Sequence, residues 1–364
     1  MLFNSPTYGK WRQTVMQQIP DDCESRLSNM LWLMTGMYAS ESVHLNKIAR
    51  SIPLRAKKLS IVRRLRRFLN NEAVDVEAWY RPWAKWLIKS ASSDGKLHLV
   101  VDTTKVSAHH RLLMVSVAYH RRTLPLMWDW VEYSRGRCTT QLQCDLLKRL
   151  DPLIPSGVRV SIVGDSEFNH PDLIELLKGW SWDYALRQKG NTVFQQAESD
   201  QWQSINSLPI KPGQVHWFED VALTATHQCS TTLLLYWKEG EKQPWYLATN
   251  QSCPLETTGL YNRRVWIEEM FGDMKGHGFD LELSRLQTPA RLSRLTLVVA
   301  ILYVWLVSLG EMTIQFHLTD EIDRTDRRDL SIFRLGWDWL ARRLALNDPF
   351  PLLLHPNFCL VSGC

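Results

Sequence analysis

Two adjacent glutamates, Glu268 and Glu269, stand in the stretch YNRRVWIEEMFGDMKGHG, residues 261–278. On a helix turning about 100° per residue, Tyr261, Arg264, Glu268 and Lys275 share one stripe roughly 60° wide. Ile267, Met270, Phe271 and Met274 form the neighbouring apolar stripe, which would dock the helix on a core. Glu269 turns about 100° away from Glu268, so the spacing separates the two acids. Two further acids end apolar, β-branched runs: Asp102 in LHLVVDTTKV (97–106) and Asp165 in VRVSIVGDSEF (158–168). An acid at a strand end, followed by small hydroxyl residues, belongs at a sheet edge where sites form.

Three carboxylates brought together there would repel one another without a cation. Oxygen donors suit Mg²⁺, and two such ions about 3.5–4 Å apart can activate a nucleophile and stabilise the leaving oxygen of a phosphodiester. Basic and aromatic residues on the Glu268 face would then hold phosphates and bases. Each residue also has an ordinary reading. Asp102 and Asp165 could cap strands, Glu268 could be an exposed helix acid, and Tyr261, Arg264 and Lys275 could make i, i+3 or i+4 helix pairs.

The elements that must position these residues follow from the pattern. Residues 1–90 read as helical and carry 15 Lys and Arg against 7 Asp and Glu. Between Val43 and Asn71 there are nine basic residues and no acidic one. HLNKIARSIPLRAKKLSIVRRLRRFLNN (44–71) reads as helix, turn at Ser51-Ile52-Pro53, helix. Leu59, Val62, Leu65 and Leu69 form the apolar face of its second helix, leaving Arg63, Arg64, Arg66 and Arg67 on the surface. This is a helix-turn-helix pattern with a basic face for a polyanion. Three strands then lead into alternating helix and strand: LHLVVDTTKV, LLMVSVAYH, LPLMWDW, helix 139–150, VRVSIVGDSEF, helix 170–180 and WDYALRQK (182–189). The order argues for a mixed sheet in an α/β domain. Residues 190–256 are β-rich, too long for a crossover, and read as an insertion.

Composition sets the outer limits. The chain has 364 residues, 45% hydrophobic and 22% charged, as in a globular protein with a large core. Seven cysteines, none in a CxxC pair, argue for a reduced compartment and no zinc site. His109, His110 and His277 show no metal-ligand spacing. The most apolar run, LTLVVAILYVWLVSLG (295–310), falls short of a membrane span and reads as a buried helix.

Asp102, Asp165 and Glu268, in this order and on these elements, resemble the Asp-Asp-Glu (DDE) transposases with a ribonuclease-H-like core. Tyr261-x2-Arg264-x3-Glu268-x6-Lys275 is similar to the Tyr-Arg-Glu-Lys signature of the bacterial insertion-sequence-four family. The resemblance covers roughly residues 30–345.

The resemblance implies a five-part layout. A helical, basic DNA-binding domain (1–92) precedes the first part of the catalytic core (93–189). A β-strand insertion (190–256), the second core part with the Glu helix (257–315) and a C-terminal helical region (316–364) follow. It also implies Asp102, Asp165 and Glu268 as catalytic residues and ligands of two Mg²⁺ ions, with Mn²⁺ able to substitute. The substrates would be duplex DNA at the inverted-repeat ends of a mobile element and at the target. The implied reaction is cleavage followed by 3′-hydroxyl strand transfer. Some members form a hairpin and stack a flipped base on a Trp in a W-x-L-x-T setting. WYLAT (245–249) makes Trp245 that candidate here, and Arg187 and Lys189 match basic DNA contacts. A homodimer that pairs two ends and a cytoplasmic, nucleoid-associated location, with no membrane partner, complete the expectation. The alternatives are a catalytically silent DNA-binding descendant and a related metal-dependent nuclease.

Overall fold

The computed structural model describes residues 8–9, 11–12, 15, 18–19, 23–132, 138–352 and 356–358. Cys359 and Cys364 lie outside the described residues. The chain forms two compact units. One gathers the described residues within 1–90, 106–110 and 270–364, and the other those within 91–105 and 111–269.

The first unit is helical. Its N-terminal part contains α1 (Glu24–Ser40), α2 (Leu45–Ser51), α3 (Lys58–Asn70) and α4 (Val76–Ala91), the last running one residue past the unit's edge. The expected helix, turn and helix over 44–71 are present as α2 and α3. On α3 the buried face is Ile61, Val62, Leu65, Phe68 and Leu69. Leu59, expected on that face, is 66% exposed, because at about 100° per residue it projects between Arg63 and Arg66 on the solvent side of the helix. Arg63, Arg66 and Arg67 are exposed. Arg64 turns inward instead, donating to Asn29 Oδ1 and, at 3.1 Å, to Ser28 Oγ on α1.

The later helices of this unit follow α5 to α8, which are introduced with the sheet. They are α9 (Pro289–Gln315) and α10 (Ile332–Leu346). At 27 residues, α9 is longer than the apolar run in the sequence, and by length and composition it could cross a membrane. Within the chain, 94% of its most apolar window is buried. Gly310 on α9 and Gly336 on α10 meet where the two backbones touch. A Cβ on either would overlap a carbonyl oxygen of the opposite helix, Ile332 O or Leu306 O. Buried Arg294 on α9 donates to Leu69 O at 3.0 Å and Val74 O at 3.3 Å, taking up carbonyls that the end of α3 leaves open.

The second unit is built on a ten-stranded mixed sheet with the order β3-β2-β1-β4-β5-β10-β9-β8-β6-β7. The first half contains β1 (Lys96–Lys105), β2 (His110–Tyr119), β3 (Arg122–Glu132), β4 (Arg159–Gly164) and β5 (Asp183–Arg187). β1 pairs antiparallel with β2 and parallel with β4, and β4 is parallel to β5. Three strands in sequence followed by two parallel ones give the mixed order expected for a ribonuclease-H-like core. The β2–β3 turn falls at His120 and Arg121, with φ of 38° and 62°. The two-residue hairpin thus carries left-handed backbone on residues other than the usual Asn and Gly. Helices α5 (Thr140–Leu150) and α6 (Pro171–Gly179) supply the crossovers.

After β5 the chain leaves through β6 (Val193–Gln195), β7 (Gln203–Ser204), β8 (Val215–Leu223) and β9 (Cys229–Tyr236), and returns as β10 (Trp245–Thr249) beside β5. The β-rich insertion continues the core sheet edge to edge. Its hydrogen bonds to β5 come from β10, with Leu247 opposite Arg187. Helices α7 (Pro254–Tyr261) and α8 (Trp266–Met274) follow at once.

Candidate active site

Strand register decides where the acids stand. Val101 on β1 is paired with Gly164 on β4, and Gly164 with Leu186 on β5. One residue further along each strand come Asp102, Asp165 and Arg187. Three neighbouring parallel strands thus deliver two carboxylates and a guanidinium to one level of the C-terminal edge, where α/β sheets carry their sites. Gly164 allows the chain to turn there, because a Cβ would press on the Phe168 ring and its Cβ at 3.0–3.2 Å.

Asp102 is 5% exposed, and its Oδ1 accepts from the Thr103 amide at 2.7 Å. Burial pushes its carboxyl up to about 7, with the nearby Arg264 opposing the shift. Burial also raises Asp165, whose Oδ1 accepts from the Glu167 amide at 2.8 Å.

Arg264 joins the acids. Its guanidinium lies 3.1 Å from Asp102 Oδ2 and 3.8 Å from Asp165 Oδ2, and it pairs with Glu268 Oε1. One cation therefore faces all three sequence-singled acids. Glu269 points elsewhere: its Oε2 accepts from Arg122 at 2.8 Å, and the side chain is half exposed. The expected division between the adjacent glutamates is present.

The carrier is not one continuous α-helix over 261–278. Tyr261 ends α7, Asn262–Val265 form a 3-10 turn, and α8 runs from Trp266 to Met274. A 3-10 turn takes three residues, so the 100° projection breaks between Tyr261 and Glu268. Tyr261 turns inward to 4% exposure while Arg264 stays with Glu268. Burial pushes the Tyr261 phenol up to about 12, with a hydrogen bond from Arg187 acting the other way. Its ring packs edge-on against Trp245 at 5.0 Å. Trp245, half-buried at the start of β10, also meets Tyr236 at 5.9 Å. Arg187, Trp245 and Tyr261 are thus one cluster. Lys189 follows β5, half-buried at the start of a turn.

The apolar stripe of α8 is as expected: Ile267, Met270, Phe271 and Met274 are all buried. The helix stops before Lys275, and the chain folds back through Gly278, where a Cβ would overlap the Asp273 carbonyl. Lys275 belongs to the helical unit, with Nζ 3.4 Å from Glu282. His110 is structural: its ring bonds Ser107 Oγ and the Gln287 carbonyl, both at 3.1 Å.

Glu167, two residues past Asp165, is an acid whose role spacing alone leaves unassigned. It accepts from Thr103 on β1 and from Arg111 on β2 at 2.6 Å, and its carbonyl accepts from buried Gln143 at 3.1 Å. It therefore ties the end of β1 to β2 and α5 beside both aspartates. The signal was a second acid two residues after Asp165, with no partner discernible in one dimension.

The model of the transposase DDE domain family matches residues 93–305, more than half of the chain. The chain belongs to this family. No curated protein sequence matches it. Among solved structures, a piggyBac transposase synaptic complex with hairpin DNA, seen by cryo-EM, is similar at a TM-score of 0.41 and 12% identity. That match covers 98% of this chain and 79% of the other.

Among the described residues of this DDE domain, no three or more His, Cys, Asp or Glu side chains are gathered to hold a metal ion. The donor chemistry nevertheless fits a hard divalent cation. The expected donors are carboxylate oxygens, and two of these acids are driven toward protonation by burial. The single charge of Arg264 faces three acids.

Proposed function

We propose that this chain is an active cut-and-paste transposase of the insertion-sequence-four kind. It binds the inverted-repeat ends of a mobile element, cuts there and joins the freed 3′-hydroxyl to target DNA. The observation that carries the reading is the register of Val101 with Gly164, one residue before Asp102 and Asp165, together with the link from both acids through Arg264 to Glu268.

Asp102, Asp165 and Glu268 would hold two Mg²⁺ ions, or Mn²⁺, which supply the Lewis acidity that activates the attacking hydroxyl and stabilises the leaving oxygen. The chain's own residues do the rest. Glu167, Thr103 and Arg111 keep the strand ends in place. Arg264, released from the carboxylates, takes a scissile-strand phosphate, and Lys189 and Lys275 take flanking ones. Trp245, backed by Tyr261 and Arg187, offers a flipped base an aromatic face. Arg63, Arg66 and Arg67 meet the phosphates of the element end from the basic N-terminal domain. Arg64 supports that face from behind through Asn29 and Ser28.

The five-part division at residues 92, 189, 256 and 315, a homodimer that pairs two ends, and a place at the bacterial nucleoid belong to the same reading. The test uses purified protein, element-end DNA and a target plasmid, with Mg²⁺ or EDTA. Metal-dependent nicking plus joined product supports it. Binding to the ends with neither product would leave a DNA-binding descendant, and nicking without joining would leave a nuclease.

A further inference from the structure

The helical unit contains a second basic concavity. A cleft of about 430 Å³ is lined by α3 (Arg66, Asn70), by the turn before α2 (His44), by the segment leading into α9 (Ser284, Arg285) and by the first turn of α9 (Arg291). None of the residues that line it is acidic. Among the described residues, neither Arg66, Arg285 nor Arg291 pairs with a carboxylate. Other arginines of this unit do pair with carboxylates, among them Arg324 with Asp326, Arg327 with Asp329, Arg334 with Asp338 and Arg343 with Glu321.

Arg285 sits in the left-handed backbone region, φ 56°, a conformation that costs a non-glycine residue about 1 kcal/mol or more. At the wall, buried His44 Nδ1 has no hydrogen-bond partner among the described residues. Burial, and then the charges of Arg285, Lys47, Lys58 and Arg50, hold its imidazole below the usual range. The cleft is therefore a region of uncompensated positive charge formed by residues far apart in sequence, with amide and hydroxyl groups beside the guanidiniums.

We propose that this cleft is a second DNA-backbone site, where Arg66, Arg285 and Arg291 grip consecutive phosphodiesters of duplex DNA. The proposal rests on the DNA-binding reading above and adds a site that the basic helix alone does not provide. Arg66 is the residue common to both. The backbone is favoured over an isolated anion because three cations on two walls of an open cleft suit a run of phosphates.

The test is the salt dependence of binding of a fluorescein-labelled, random-sequence duplex to the full chain, measured by anisotropy between roughly 50 and 200 mM salt. In Arg66→Gln/Arg285→Gln/Arg291→Gln, the slope of log K against log[salt] becomes shallower by about 2–3, one contact per arginine. The Lys versions of the three substitutions keep the wild-type slope. Arg324→Gln/Arg327→Gln/Arg328→Gln removes the same charge elsewhere and shifts the slope by less than about 1. An unchanged slope in the cleft variant, or an equal change in the charge-matched control, overturns the proposal.

Should the Gln variant fail to fold, arginine modification by phenylglyoxal in the wild-type chain decides. Protection of Arg285 and Arg291 by the duplex supports the site, and full reactivity in the complex overturns it. A wild-type chain that binds and cuts DNA with the cleft arginines unprotected loses only this proposal. A wild-type chain that binds no duplex loses both this proposal and the functional reading beneath it.

Discussion

At the scale of single residues, Asp102 carries the clearest physical signature. An ordinary aspartate ionises near 3.8, whereas burial holds this one at about 7. Below about pH 4 the folded and unfolded chains both keep the proton. Between about 4 and 7 the unfolded chain has lost it and the folded chain retains it, so folding stability falls as pH rises. Above about 7 the full cost of the buried charge is present. Asp102→Asn removes this titration. In metal-free buffer its stability relative to wild type should therefore rise across that window, by an amount of the order of a few kcal/mol, and then level off. Urea unfolding at the two ends of the window measures it. A difference that does not change with pH would mean that Asp102 is already well compensated by Arg264. The sequence marked Asp102, Asp165 and Glu268 as a set through their positions on strand ends and helix. It did not mark Arg264 as their shared counter-ion or Glu167 as the tie between strands. Both depend on contacts between segments distant in sequence, which periodicity does not encode.

At the scale of elements, the five strands of the first half of the sheet were legible because each is a short apolar, β-branched run ending near a turn or an acid, although β1 runs on past Asp102 to Lys105 and the short β6 and β7 had no such run to mark them. The Glu-bearing segment was legible only in part. Its apolar stripe and the opposition of Glu268 and Glu269 follow from α-helical spacing, which holds across α8. The projection fails one turn earlier, where a 3-10 turn lets Tyr261 pack beneath Trp245. That packing gives Trp245 a rigid backing, as a base receptor needs. Where the reaction proceeds through a hairpin, Trp245→Ala should slow hairpin formation by tenfold or so more than the first nick, since stacking contributes about 1–3 kcal/mol. Single-turnover gels separate the two steps. Equal losses in both would make Trp245 a core residue only. The α9–α10 contact is a second element whose requirement is local: Gly336 lies against Leu306 O and Gly310 against Ile332 O. Gly336→Ala should destabilise the chain by about 3 kcal/mol, since backbone cannot move aside as a side-chain tip can. A thermal melt within a degree or two of wild type would mean that the helices slide apart at little cost.

At the scale of the whole molecule, charge asymmetry pointed to a basic N-terminal part, and the order of strands and helices to a mixed-sheet core. They did not show that the insertion would extend that sheet to ten strands. Edge-to-edge continuation has no signature in one dimension, because an insertion strand reads the same whether it pairs within a subdomain or with β5. The apolar α9 likewise reads as a short buried run, although its true length of 27 residues becomes clear only once its buried Arg294 and Glu311 count as interior groups. The joining of sequence-distant arginines into one cleft is a third property that appears only at this scale.

In the proposed reaction Glu268, and not its neighbour, completes an acidic trio with Asp102 and Asp165. The most direct measurement is Mg²⁺-dependent cleavage of element-end DNA by Glu268→Gln and Glu269→Gln side by side, with binding to the same DNA as the control. Glu268→Gln should lose cleavage by a factor of about 10³ or more while still binding the ends, as expected for removal of a group essential to the chemistry. Glu269→Gln gives up only the half-exposed pair with Arg122, so it should cut nearly as wild type and lose less than about 1 kcal/mol of stability. Comparable cleavage by Glu268→Gln, or an equal loss in both variants, would remove Glu268 from the trio.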